Sequence, residues 1–268
     1  MNVKWVALSM LLLPMAGIAA NPFDAPLKTR HVELKADPRN PQAKRRVSCF
    51  YYRSVVVKEV DLGEVGAERL ALLPVLAGNA TPCRDTKETY EYEISADRWS
   101  GYFRGVKADY AFFDAPDGTN GGLGFMVLRL VDRKPLFEDV AQHGIQAIEA
   151  LDRSLKLRYQ RVYQGKCSAI NDGAGCRAAL SQETGVAETS LSRCAGGYAA
   201  AKQAMAKGRC AAQSSRQRNC LSTELSLLDQ QHWNEAPTVL VYEVEVTLSS
   251  EVPVIARRSD ALACRPSD

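Results

Sequence analysis

The chain has 268 residues and a formal net charge of +3, from 34 Lys and Arg against 31 Asp and Glu. So even a balance argues against a nucleic-acid binder that works by bulk charge. Arg45-Arg46 and Arg257-Arg258 accordingly read as solvated surface, not as a phosphate track. Eight cysteines, all beyond residue 48, argue against a reducing compartment.

In chain order, residues 1–20 are expected to be a signal peptide. Lys4 lies in a short polar start, an apolar run follows, and the small residues Gly17, Ala19 and Ala20 precede Asn21. The apolar run is short for a bilayer span, so no stable membrane span is expected after cleavage. Residues 21–47 hold Pro22, Pro26, Pro38 and Pro41 among many charges and read as an extended N-terminal arm. Residues 48–268 read as a single α+β domain, mainly antiparallel sheet, with a cysteine-rich helical insertion at about 167–235.

Within that domain, residues 49–60 are aromatic and β-branched and predict one strand. Residues 69–76 predict a second, with Pro74 suggesting an edge or a break. Alternation over 88–94 turns Tyr90, Tyr92 and Ile94 one way and Glu91 and Glu93 the other. Residues 106–113 alternate as well, and 123–131 are apolar on both faces, as in a central strand. Ile145, Ile148 and Leu151 recur at helical spacing and predict a short helix. Strand alternation returns at 155–163 and again at 239–248. Between those two strands lie three helical stretches. The first is expected to end at Gly185 in a left-handed cap, the second to stop at Gly208, and the third covers 220–233.

The even cysteine count behind a signal peptide predicts a disulfide framework. Chain proximity suggests Cys49 with Cys83, Cys167 with Cys176 and Cys210 with Cys220, which leaves Cys194 with Cys264. One straight helix would hold Cys210 and Cys220 about 15 Å apart at ~1.5 Å per residue. That exceeds the ~7 Å limit of a bridge. Either the chain turns there or each sulfur has a distant partner.

The segment 112–125 packs Asp114, Pro116, Asp117, Asn120 and four glycines between apolar flanks. Its turn chemistry predicts a hairpin with a long tip. A calcium cage built on Asp114, Asp117 and Asn120 stays open, although the spacing is not that of an EF-hand loop. So does a partner-contacting loop. Just upstream, Trp99, Tyr102 and Phe103 stand among arginines and glycines. They read either as core aromatics or as a docking patch. Together with the three polar loop residues they form the candidate binding set. No cofactor and no metal site is expected beyond that calcium alternative. His31, His143 and His232 are scattered, and none of the GxSxG, HExxH, CxxC or phosphate-loop patterns occurs. No catalytic residue is assigned.

From Cys49 to Val140 the chain, with its stretches KEVDLGE, WSGYFRGVKADYAFFDA and GGLGF, resembles uncharacterised secreted proteins of Gram-negative bacteria. That resemblance implies no activity. Small periplasmic lysozyme inhibitors are similar in general style, being exported, β-rich and disulfide-bonded. The expected function is an exported periplasmic or secreted protein that binds or inhibits a macromolecular partner, an envelope protein or glycan, and is not an enzyme. Two alternatives remain. One is a cell-envelope hydrolase using carboxylates such as Asp114 with Asp117 or Glu138 with Asp139. The other is a structural envelope component.

Overall fold

A computed structural model describes residues 21–76, 81–152, 154–212, 219–249 and 252–267. The expected signal peptide and the segment 213–218 between Cys210 and Cys220 lie outside the described residues. The fold is α+β: two antiparallel sheets, a cysteine-rich helical region and four disulfides.

The first sheet runs β1 (Lys28–Glu33), β2 (Arg46–Tyr51), β3 (Val56–Asp61), β4 (Arg69–Leu73) and β5 (Tyr92–Ile94), in chain order. Part of the expected arm is therefore a strand, since β1 pairs with β2 from Lys28↔Tyr51 to Glu33↔Arg46. Residues 49–60, expected as one strand, form a hairpin. Its turn closes with Tyr52 N–H donating to the Val55 carbonyl at 2.9 Å. Tyr52 and Val55 are buried in the core and only Arg53 and Ser54 between them are exposed, so two polar residues are all that marks the turn. β4 is not an edge strand but lies between β3 and β5, and Pro74, which has no N–H to donate, follows its last residue.

The second sheet runs β6 (Tyr102–Lys107), β7 (Tyr110–Thr119), β8 (Gly122–Arg129), β9 (Lys134–Leu151), β10 (Ser154–Gln164), β11 (Thr238–Leu248) and β12 (Val254–Pro266). Residues 106–113 divide between β6 and β7 around Ala108, which takes φ +49°. The helix expected over 145–151 is instead the end of β9. In the pairing with β10, Tyr159 faces Ile145 and Leu157 faces Ile148, so Gln146 is an extra residue on the β9 side. That bulge stretches a two-residue repeat to three and imitates helical spacing.

Helices α1 (Gly173–Thr184), α2 (Glu188–Leu191), α3 (Cys194–Ala212) and α4 (Cys220–Gln230) fill the connection between β10 and β11. Gly185 caps α1 at φ +69° with its N–H on the Ser181 carbonyl. α3 does not stop at Gly208. A glycine inside a helix costs about 1 kcal/mol, and buried Ala206 and the Cys210–Cys220 bond hold this last turn in place. Cys210 lies in the last turn of α3 and Cys220 begins α4, with their Cα atoms 5.9 Å apart, within reach of a bridge. The other bonds are Cys49–Cys83, Cys167–Cys176 and Cys194–Cys264.

The layers follow from side-chain alternation. Val57, Leu70, Leu72 and Ile94 of the first sheet pack on Val106, Ala111, Phe113, Met126 and Leu128 of the second. The opposite face of the second sheet carries Phe112, Phe125, Tyr159, Leu240, Tyr242 and Val244, which meet Leu180, Val186, Leu191 and Cys194 from the helical region. The outer face of the first sheet is roofed by the segment after Thr81. Tyr51 Oη donates to the Thr81 carbonyl, Lys58 Nζ to the Thr86 carbonyl, and Cys83 bonds Cys49. Lys58 and Glu91 are both buried there as an ion pair, with Arg69 Nε 3.3 Å from Glu91. Glu91 thus shares the face of Glu93, as its parity requires, but the roof covers it.

Candidate functional site

The six residues of the expected binding set do not form one site. Trp99, Tyr102 and Phe103 are half-buried and pack into the core between the sheets. Phe103 lies 4.8 Å from Phe50 and 5.8 Å from Phe113, ring centre to ring centre. Its N–H donates to Glu59 Oε2 at 2.7 Å. Tyr102 Oη accepts from Gly66 N–H at 3.0 Å and sits 3.3 Å from the Glu64 carbonyl. These aromatics hold the sandwich together and present no exposed patch.

The loop is tighter than expected. β7 continues to Thr119, and Asn120 and Gly121 form a two-residue turn at φ +49° and +61°. Positive φ at both central positions matches a type I′ hairpin, for which Asn-Gly is a preferred pair. The extra residues are absorbed in a bulge between Asp114 and Gly118. Asp114 lies 3.6 Å from Arg104 Nε; burial pushes its carboxyl above the usual range, against the pull of that guanidinium. Asp117 is exposed. Asn120 is buried, donates to Gln164 Oε1 at 2.8 Å, and its carbonyl accepts from Arg265 of β12. The second sheet is curled enough to bring this tip to β12, four strands away across the sheet from β8. Asp114 and Asn120 are thereby committed to different partners. Among the described residues the one grouping with metal-ligand geometry is Cys167, Asp172 and Cys176, and its sulfurs are joined in a disulfide.

Glu138 and Asp139 diverge as adjacent strand residues must. Glu138 pairs with Arg98 at 2.6 Å on one side. Asp139, with its side chain 6% exposed, takes Tyr159 Oη and Arg161 Nε on the other. Arg161 reaches on to Tyr242 Oη at 3.4 Å. Burial, then the carboxylate beside it, pushes the Tyr159 hydroxyl far up. The cluster is closed on itself, with each charge answered by a neighbour, and holds β9, β10 and β11 together.

The sheet edges differ sharply. β1 (Lys-Thr-Arg-His-Val-Glu) is exposed and charged, and β5 is three residues long. β6 is covered by the N-terminal segment. There Asp24 N–H donates to the Val106 carbonyl at 2.8 Å, and its carboxylate takes Lys107 and the Ala108 N–H. These are common ways of blunting an edge. β12 is 13 residues long, and Val252, Val254 and Ile255 at its start are exposed, Val252 to 81%. Beside its second half lies a groove of about 610 Å³, lined by Ser190, Arg193, Gly197, Ala200, Ala201 and residues 260–265.

Periodicity does not mark this edge, because Arg257-Arg258-Ser259-Asp260 breaks the pattern. In the structure Arg258, Ser259 and Asp260 sit in the bulge between Tyr242↔Leu262 and Val244↔Arg257. Among the described residues no helix is long and apolar enough to cross a membrane. No protein-family description, curated protein or solved structure matches the chain.

Proposed function

We propose that the protein is an exported, periplasmic or secreted binding protein that docks a macromolecular partner along β12. The observation that carries this is the contrast among the four sheet edges: three are charged, short or covered, and the fourth is long; α3 packs on its end at Cys264, while its start carries exposed Val254 and Ile255, with exposed Val252 just before them. An open edge of this kind offers a row of main-chain donors and acceptors to another chain. Four disulfides favour an oxidising compartment. One of them, Cys194–Cys264, anchors the end of β12 to α3, and a preorganised edge lowers the ordering cost of binding. The docking surface is therefore placed on β12, not on the aromatic trio, whose rings are turned into the core.

The test uses the oxidised protein lacking residues 1–20. It is immobilised, exposed to periplasmic extract, and the captured protein is identified, purified and titrated against wild type and a Val254→Lys/Ile255→Lys variant. Two lysines on the edge should weaken binding at least tenfold while leaving the melting temperature within a few degrees. Equal affinity for both forms, or no captured protein, would contradict the assignment.

A further inference from the structure

We infer that the start of β12, from Val254 to Arg257, receives an extended segment of the partner as an added strand, and that this segment carries a carboxylate for Arg257 and an apolar side chain for Ile255, two positions apart. This rests on the binding reading above and goes beyond it by naming the chemistry of the occupant.

The alternation of the ladder fixes which groups stay open. Thr238 turns both its main-chain groups toward the β10 side: its N–H donates to the Cys167 carbonyl and its carbonyl accepts from Gly165 N–H, each at 2.8 Å. Pairing between β10 and β11 then runs without a shift from Gln164↔Val239 to Leu155↔Leu248. Even-numbered residues of β11 therefore bond toward β10, whereas Glu245 and Thr247 bond toward β12. Their partners in register are Ala256 and Val254. Ile255 and Arg257 accordingly turn N–H and C=O away from β11, where a further strand would bond. Exposure agrees, since Val254 is 64% and Ile255 39% exposed. Helix α3 is tied to the other end of the strand, at Cys264.

The side chains beside this edge set the preference. Ile255 lies opposite Val246 and Arg257 opposite Val244, so both sit on the face that carries Tyr242. Arg257 is a mostly buried cation short of partners. Its Nε and Nη2 are buried without a hydrogen-bond acceptor. Asp260 comes only to 3.6 Å and is itself fully exposed, so that pair is weak and screened. Asp139, the carboxylate of the cluster on the same face, is taken by Arg161 and Tyr159. A buried guanidinium left in this state is destabilising until an acceptor meets it. In an added strand, the residue opposite Arg257 places its Cβ about 4.5–5.5 Å away on the same face. An Asp or Glu carboxylate spans that distance and makes a charge-assisted contact. The residue two places along lies opposite Ile255, which an apolar side chain covers. Main-chain bonds then supply affinity, and these two side chains supply selectivity.

The probe is a displayed library of random decapeptides panned against the oxidised protein lacking residues 1–20. Enriched peptides should carry Asp or Glu and an apolar residue two positions apart. Replacing that acid by its amide in the peptide, a change that leaves the protein's fold untouched, should weaken binding about tenfold. Arg257→Met should weaken binding similarly and should bind the acid and amide peptides equally. It should not lower the melting temperature, because it removes a buried cation that lacks an acceptor. Bound peptide should slow exchange of the Ile255 and Arg257 amides. No enrichment, equal affinity of the acid and amide peptides for wild type, or unchanged exchange at those amides would overturn the inference. A captured partner weakened by Val254→Lys/Ile255→Lys but bound as tightly by Arg257→Met as by wild type would leave the docking function standing and remove the acidic contact.

Discussion

Glu59 shows how one residue can report on the packing between the sheets. It is 5% exposed on the inner face of β3 and accepts the Phe103 N–H. Burial, the largest influence, raises its carboxyl above the ordinary value, and that hydrogen bond opposes the rise only in part. The sign follows from linkage. A folded value above the unfolded one adds stability that is fully present below about pH 4.3, the unfolded range for Glu, and is lost as pH rises through the folded value. Glu59→Gln keeps an acceptor for Phe103 and does not ionise. Its melting temperature relative to wild type should therefore rise between pH 4 and pH 7. A difference that is flat across this range would show that the carboxyl is not held in a dry site.

At the scale of elements, two staples of different reach can be compared. Cys194–Cys264 closes a separation of 70 residues and ties α3 to β12, whereas Cys210–Cys220 closes 10 and ties α3 to α4. Loop-closure entropy assigns about 4 kcal/mol to the long loop and about 3 kcal/mol to the short one. The Cys194→Ser/Cys264→Ser variant should consequently lose more stability in denaturant melts than Cys210→Ser/Cys220→Ser, by roughly 1–2 kcal/mol. The opposite ranking would mean that α3 is held against β12 chiefly by packing.

Elements were legible where local chemistry decided them. Gly185 ends α1 because it can take φ +69°. Tyr242, Val244, Val246 and Leu248 turn inward because nothing interrupts their alternation. Elements were obscured where distant contacts decided. The hairpin between β2 and β3 is hidden by two buried turn residues, and β9 imitates a helix through one extra residue.

For the whole molecule, composition and cysteine pattern made the α+β class and the disulfide framework legible, but not the placement of the candidate site. Trp99, Tyr102 and Phe103 carry the same letters whether they face a partner or a second sheet; only the packing of β6 against the first sheet turns them inward. Asp114 and Asn120 are close in sequence, yet one meets Arg104 and the other Gln164 and Arg265. The open edge depends on which strand comes last in the sheet, and no local pattern carries that information.

That edge is the centre of the functional account, and native-state amide hydrogen exchange of the unliganded, oxidised protein tests it most directly. Exposed edge amides exchange readily, whereas ladder amides wait for local or global opening. The amides of Ile255 and Arg257, which alternation turns away from β11, should exchange orders of magnitude faster than those of Val254 and Ala256, which bond to Thr247 and Glu245 of β11. Uniform protection along 254–257 would mean that the outer side of β12 is already occupied there, and would contradict the account.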